Sequence, residues 1–452
     1  MKIIIAGDGK VGATLTRQLS AEGYDLTVID SNQHVLERSL EQYDVMAVQG
    51  NCASMETLLQ AEVNDAELLI AATNADEVNL LCCMTAHGLN PKLHTIARIR
   101  NPEYIRQIYR MRELFSLSLA INPERQAAQE IERLLRFPGF LKRDSFAKGR
   151  AEIVELKLDE NSKLRDVPLH KLNGIVKCRV LVCTVLREGR AVAPDGNFVL
   201  RAGDRIFVTA PAHDLSALLK NLGIVTRKVS RVMLCGGGTV SYSLAQQLLK
   251  GGMDVQIIER NHDRCLQLAK LLPDASIING DASSRDLLSE CGLESCDALV
   301  TLTGLDELNI IISLYGNSQG VPQIITKLGR LDAANILDTL PIGSTVCPKE
   351  LCSSNIVRYV RAMKNQTGAA ITIHSIADGQ AEAIEFLVDK STLHCGVPLK
   401  ELQFKKSVLV ACISHGSVTE IPNGDSTFSV GDTVVIVTSG EEVIYQLNDI
   451  FA

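Results

Sequence analysis

The sequence predicts an α/β protein of two doubly wound, Rossmann-like parallel sheets, each followed by a small α+β module. Three observations carry that expectation. The first thirty residues, MKIIIAGDGKVGATLTRQLSAEGYDLTVID, read as strand, glycine turn, helix and strand. Apolar runs of strand length then alternate with helix-length segments. The whole plan begins again at Arg231, roughly 229 residues on, which marks a tandem duplication.

Met1 to Ala6 is the first strand, and Gly7-Asp8-Gly9-Lys10-Val11-Gly12 follows it directly. Gly7 allows the tight turn, Gly9 lets backbone approach a pyrophosphate, and Gly12 lets helix lie close to strand. The helix running to Ala21 presents free N–H groups and a positive dipole end to that phosphate. Asp30 closes the second strand eighteen residues after Gly12, where a carboxylate binds the two hydroxyls of an adenosine ribose. It would repel a 2′-phosphate, so NAD(H) is favoured over NADP(H). A helix over 32–43 leads to a strand over 45–49, which ends in Gly50-Asn51-Cys52-Ala53. A helix over 55–61 precedes the apolar strand 68–73, which stops at Thr73-Asn74-Ala75-Asp76-Glu77. A helix over 78–88 and a fifth strand over 95–99 follow.

Ligands of such sheets bind beyond the carboxyl ends of the strands, so Asp30, Asn51, Thr73, Asn74 and Arg98 should share one mouth. Arg98 reads equally as a phosphate contact, through its forked cation, or as a surface arginine. The five arginines at 98, 100, 106, 110 and 112 could suggest a nucleic-acid patch. Ile105, Ile108 and Met111 interleave with them at helical spacing, so a solvated helix face is expected. Asn122-Pro123-Glu124 opens a helix with Ala127, Ile131, Leu134 and Leu135 on one face, ending near Phe137-Pro138-Gly139. It reads as a crossover helix suited to pairing with a neighbouring domain or subunit.

Lys142 to Arg150 reads as a polar linker, and Ala151 to Val225 as a small α+β module with a closing helix over 215–222. Then Arg231-Val232-Met233-Leu234-Cys235 repeats the first strand, and Gly236-Gly237-Gly238-Thr239-Val240-Ser241 the turn. Glu259 stands eighteen residues after Ser241, in the place of Asp30. Gly280-Asp281-Ala282-Ser283 answers the segment with Asn51, and Thr303-Gly304-Leu305-Asp306-Glu307-Leu308-Asn309 answers the one with Thr73. Lys327 stands near the place of Arg98, keeping the charge without the fork. A second crossover helix opens at Cys347-Pro348-Lys349 and runs to about Met363, and the small module recurs around Pro422-Asn423-Gly424 and 430–437.

Composition limits the function. A length of 452 residues suggests three or four domains, and 46% hydrophobic with 22% charged residues is ordinary for a globular chain with a core. Tryptophan is absent and aromatics make up 4%, against stacking platforms for sugars or single strands. A net charge of −7 argues against nucleic acid as a partner. No apolar run approaches the ~18–20 residues that span a bilayer, and the N-terminus is already a strand instead of a leader, so a cytoplasmic chain is expected. The 13 cysteines lack C-x2-C spacing with matching histidines, so they are expected as small core hydrophobes with no metal.

The segments IIIAGDGKVG with Asp30, GNCAS, TNADEVNLL and TIARIRNPEY, with the full-length duplication, resemble the TrkA family. Its members are cytoplasmic nucleotide-binding subunits of bacterial Trk/Ktr-type potassium uptake systems, built from RCK domains. The resemblance covers the whole chain. It implies lobes at 1–140, 141–227, 228–365 and 366–452, alternating Rossmann-like N-lobes with small C-lobes. It also implies a homo-oligomeric ring, dimer or tetramer, docked on the inner membrane face beneath a potassium-transporting subunit and gated by NAD(H) and by ATP or ADP. By position, the first site would comprise Gly7, Asp8, Gly9, Lys10, Val11, Gly12, Asp30, Asn51, Cys52, Thr73, Asn74 and Arg98. The second would comprise Gly236, Gly238, Glu259, Asp281, Thr303 and Lys327. The second half departs from the first at Ser241 and Gly304, and Asp8 departs from the commoner GAGxVG, placing a carboxylate near the phosphate loop where it would disfavour ATP. An NAD-dependent dehydrogenase is the alternative. It requires an acid–base residue and a substrate domain, whereas His170, His213, His374, His394 and His415 do not recur between the copies. A redox sensor of nucleic acid would want a helix-turn-helix or basic wing, which neither end supplies.

Overall fold

Ile3, Ile4 and Ile5 are all fully buried, because the strand that carries them lies inside a parallel sheet covered on both faces. The computed structural model describes residues 1–111, 114–136, 140–224, 228–329, 340–364, 370–439, 444 and 446–452. The chain opens with β1 (Lys2–Ala6), α1 (Lys10–Ala21), β2 (Asp25–Asp30), α2 (Gln33–Gln42), β3 (Met46–Gln49) and α3 (Met55–Gln60). It continues through β4 (Leu68–Ala71), α4 (Asp76–Leu89), β5 (His94–Arg98), α5 (Pro102–Met111), β6 (Leu119–Ile121) and α6 (Pro123–Arg136). The strands pair in parallel in the order β3-β2-β1-β4-β5-β6, so the order reverses between β1 and β4. That reversal opens a crevice beyond the carboxyl ends of the strands.

The next segment carries β7 (Lys142–Phe146), β8 (Ala151–Lys157), α7 (Leu172–Val176), β9 (Leu181–Arg187), β10 (Arg190–Val192), β11 (Arg205–Pro211) and α8 (Leu215–Leu222). Its sheet, β10-β9-β11-β8-β7, is antiparallel. The second large sheet uses β12 (Arg231–Cys235), α9 (Thr239–Lys250), β13 (Asp254–Glu259), α10 (His262–Leu271), β14 (Ser276–Asn279) and α11 (Arg285–Glu290). Then come β15 (Ala298–Thr301), α12 (Asp306–Ser318), β16 (Gln323–Lys327), β17 (Ser344–Val346) and α13 (Pro348–Lys364). Its order, β14-β13-β12-β15-β16-β17, repeats the first. The last antiparallel sheet joins β18 (Ala370–Ile376), β19 (Ala381–Leu387), β20 (Val408–His415), β21 (Val418–Glu420) and β22 (Thr433–Ser439) in the order β18-β19-β22-β20-β21.

The described residues divide into two compact units, one of residues 1–128 with 347–359, the other of 129–346 with 360–452. In the first, α13 begins beside α1: the Glu350 carboxylate receives Arg17 at 3.2 Å and the Gln18 amide at 3.3 Å. In the second, the end of α6 lies against β16, where the Gln323 amide donates to the Leu134 carbonyl at 2.8 Å. The crossover helices therefore each serve the sheet of the other repeat.

One expectation is corrected. Lys142 to Arg150 is not a linker: β7 occupies Lys142–Phe146 and pairs antiparallel with β8 from Lys142↔Glu155 to Phe146↔Ala151. Its charges are buried and paired, Arg143 with Glu152 and Asp144 with His374. Arg112 and the expected helix end at Phe137-Pro138-Gly139 lie outside the described residues, as does the lobe boundary after residue 365.

Candidate functional site

The first mouth is set by backbone sterics. Gly7 has φ +94°, and a Cβ there would meet the Thr73 main-chain nitrogen at 2.8 Å. A Cβ at Gly12 would stand 1.9 Å from the Gly7 carbonyl oxygen. Both positions therefore demand glycine, whereas a Cβ at Gly9 would meet nothing within 4 Å. Gly9 is the N-cap of α1 and no side chain caps it, so the first N–H groups of the helix face open space, as an anion requires. Across the turn, the two Asp30 oxygens accept from the Asp8 N–H at 2.8 Å and the Asn32 N–H at 2.9 Å. The carboxylate is thus held at the end of β2 with lone pairs remaining for a ligand's hydroxyls.

The second mouth repeats this construction. Gly236 has φ +108° and its Cβ would meet the Leu302 carbonyl at 2.8 Å, while Gly238 caps α9 over open space. Glu259 accepts from the Gly237 N–H at 2.6 Å and the Asn261 N–H at 2.8 Å. Ser241, in the place of Gly12, turns its hydroxyl back to the Gly236 carbonyl at 2.5 Å. Lys327 Nζ donates to the Thr303 carbonyl at 2.6 Å and to that of Leu302 at 3.4 Å. Asp281 is exposed, and the N–H of Ser283 holds its carboxyl below the usual range. The residues present in both mouths fit an adenine nucleotide: an acid for the ribose, and an uncapped helix N-terminus with free space above it for phosphate.

Other predicted residues are placed differently. Asp8 is 2% exposed and its carboxylate points under the loop, taking the Ser39 hydroxyl at 2.5 Å and that of Thr16 at 3.2 Å. Burial pushes its pKa up, partly offset by those two hydroxyls. Val11 is buried in the core, and Cys52 is buried with its thiol against Cys82. Lys10 and Asn74 are exposed at the mouth, as is Asn51, whose side chain caps the turn by accepting from the Ala53 N–H at 3.0 Å. Arg98 is neither on the surface nor free over the mouth: it is partly buried against Glu124 at 3.4 Å, and its Nε finds no hydrogen-bond acceptor.

Two residues absent from the predicted set organise the strand ends. Asn79, fully buried, accepts from the Thr73 N–H at 2.9 Å and hydroxyl at 2.6 Å, and donates to the Arg98 carbonyl at 2.8 Å. Asn309 does the same with Thr303, at 2.9 and 2.7 Å, and with the Lys327 carbonyl at 2.9 Å. Each ties the end of one strand to the next, shaping the floor of its mouth. Their signal was the repeat itself, since a polar residue recurs on the sheet-facing side of both helices. Among the described residues no cluster of histidine, cysteine and acid could hold a metal, and no helix is long and apolar enough to cross a membrane.

Two doubly wound sheets, each with a dinucleotide-type glycine turn and an acid at the end of its second strand, define a tandem Rossmann-like protein. The TrkA-N domain profile matches residues 3–121 and 232–348, and the TrkA-C domain profile residues 153–223 and 383–451. The chain belongs to the TrkA family. It is 31% identical to the Trk system potassium uptake protein TrkA of Haemophilus influenzae, spanning 100% of this chain and 98% of the relative. It is 30% identical to the TrkA homolog of Archaeoglobus fulgidus, over 100% of both. Among solved structures, the GsuK RCK domain matches with TM-score 0.63 at 15% identity, over 97% of this chain and 92% of that one. The GsuK channel bound to NAD matches with TM-score 0.61 at 16% identity, over 97% and 77%. At these identities the structural likeness speaks for the fold.

Proposed function

We propose that this chain is the cytoplasmic, nucleotide-binding regulatory subunit of a potassium uptake system, holding NAD(H), and ATP or ADP, in its two mouths. Four lobes divide the work, with boundaries near residues 140, 227 and 365. The observation that carries this reading is the repetition of one unreactive binding geometry, the backbone-held acid facing an uncapped helix N-terminus, at Asp30 with Gly9 and again at Glu259 with Gly238. Asp30 or Glu259 would hold the adenosine ribose, and the α1 and α9 N-termini the phosphates. In the small modules His374 pairs with Asp144 and His415 with Asp432.

Regulation needs no chemistry at these mouths. A nucleotide that binds one arrangement of the lobes better than another shifts their equilibrium, and a coupling of about 1–3 kcal/mol would suffice to gate a partner. The partner is a membrane-embedded potassium-transporting subunit, contacted by a homo-oligomeric ring of these chains. The test is reconstitution of the chain with that subunit in vesicles, reading potassium flux with and without NADH and ATP. Nucleotide-dependent flux, lost when Asp30 and Glu259 are both replaced by alanine, is the expected result. Steady oxidation of NADH against a metabolite panel, with flux unresponsive, would instead favour a dehydrogenase.

A further inference from the structure

We infer that the two mouths sort adenine nucleotides by charge: the Asp8 carboxylate makes the first discriminate against the triphosphate of ATP in favour of the diphosphate of NAD(H), and the second lacks that discrimination. The inference rests on the nucleotide reading above and assigns each mouth its ligand class.

Asp8 lies beneath the first turn of α1, with one carboxylate oxygen 3.6 Å from where a Cβ on Gly12 would stand. An acid there offsets the positive end of the helix dipole, which is the feature that attracts phosphate. Being nearly sealed from water, its charge is weakly screened. It does not block the mouth, because the side chain points inward to Ser39 and Thr16.

The duplication supplies an internal comparison. In the second half Gly237, Ala245 and Leu268 stand where the first has Asp8, Thr16 and Ser39. The polar set is exchanged as a whole for an apolar one. No acid fits there: a Cβ on Gly237 would come within 2.7 Å of Leu268 Cδ1 and 3.1 Å of Glu259 Cβ. In its place Arg264 approaches the loop, its Nε donating to the Gly237 carbonyl at 2.8 Å. At the first glycine turn two carboxylates, Asp8 and Asp30, therefore stand together, whereas at the second Glu259 stands beside the Arg264 guanidinium. A terminal phosphate adds roughly two negative charges, so it is opposed more strongly at the first turn than at the second.

The experiment uses the full chain with one mouth silenced at a time. Gly238→Glu closes the second and Gly9→Glu the first, each Cβ growing into open space. Calorimetry with NADH and with ATP then gives both affinities at each mouth. With the second closed, NADH should bind more tightly than ATP. Adding Asp8→Asn, which keeps the side-chain shape and removes the charge, should tighten ATP about tenfold and change NADH by less than about threefold. That difference should shrink at high salt. If Asp8→Asn fails to fold, the exchange Asp8→Gly, Thr16→Ala and Ser39→Leu copies the packing of the second half and should give the same result. Equal changes for both nucleotides would reduce Asp8 to a structural role and overturn the inference, as would the same ATP-to-NADH ratio in both mouths. Binding of neither nucleotide to the wild-type chain would overturn the nucleotide reading itself.

Discussion

Asp30 shows how much one side chain does at this site. Its carboxylate is fixed by the N–H groups of Asp8 and Asn32, so it shapes the glycine turn before any ligand arrives. Asp30→Ala should therefore act twice. It removes the ribose partner, weakening NADH at the first mouth by about 10- to 100-fold, as expected for a charge-assisted bond of about 1.5–3 kcal/mol. It also frees two backbone donors, lowering the melting temperature by a few degrees. Asp30→Asn keeps one acceptor but turns its amide NH2 toward the other backbone donor, so it should recover only part of the thermal loss and part of the affinity. Unchanged NADH affinity in Asp30→Ala would remove this residue from the site. The carboxylate was legible in the sequence because the spacing from Gly12 fixes it at the end of β2. The inward turn of Asp8 was not, because an adjacent residue in a tight turn can face either way. Its direction depends on Ser39, thirty-one positions later.

Among the elements, the strand–turn–helix units were read most faithfully, since a glycine turn between an apolar run and a helical stripe is a local signal. The strands β6, β7 and β17 were not foreseen. Each is short or polar and exists because a distant strand pairs with it, as β8 pairs with β7. Charged residues such as Arg143 and Asp144 look like linker until their partners Glu152 and His374 are seen. The two helices that begin at the glycine turns differ in how closely they approach the sheet. Gly12 leaves no room for even a methyl group against the Gly7 carbonyl, whereas Ser241 is accommodated with its hydroxyl bonded to Gly236. Gly12→Ala should therefore force α1 away from β1 and cost about 1–3 kcal/mol or more, as overpacking does. Ser241→Gly should cost less than about 1 kcal/mol, chiefly through helix propensity. Thermal melts of the two variants separate these outcomes, and a benign Gly12→Ala would show that the first helix has slack the structure does not display.

At the scale of the whole molecule, the duplication matters because the two small sheets share one core. Phe146, Ile153, Cys183 and Phe207 of the first module pack in the same cluster as Ile376, Ala383, Cys412 and Val437 of the second. At its edge Asp144 and His374, equivalent residues of the two copies, meet at 2.9 Å, with the His374 ring edge-on to Phe146 at 5.0 Å. Asp144 is 4% exposed. Burial alone would raise its pKa, but Lys142, His374 and Arg133 together hold it well below the usual carboxylate range. The unfolded chain therefore binds the Asp144 proton more readily than the folded one. Ionised Asp144 contributes stability that is present above its ordinary value of about 3.8 and is lost as pH falls through the depressed folded value. Removing one partner of a fully buried pair costs about 3–5 kcal/mol, and less here because Lys142 and His374 are only partly buried. Asp144→Ala should thus lower the melting temperature at neutral pH. The gap from the wild type should narrow steadily as acid is added below about pH 4, because the wild type then loses the same interaction. A gap that stays constant from pH 7 to pH 3 would mean that lost packing, and not the charge interactions of Asp144 with Lys142, His374 and Arg133, accounts for the effect.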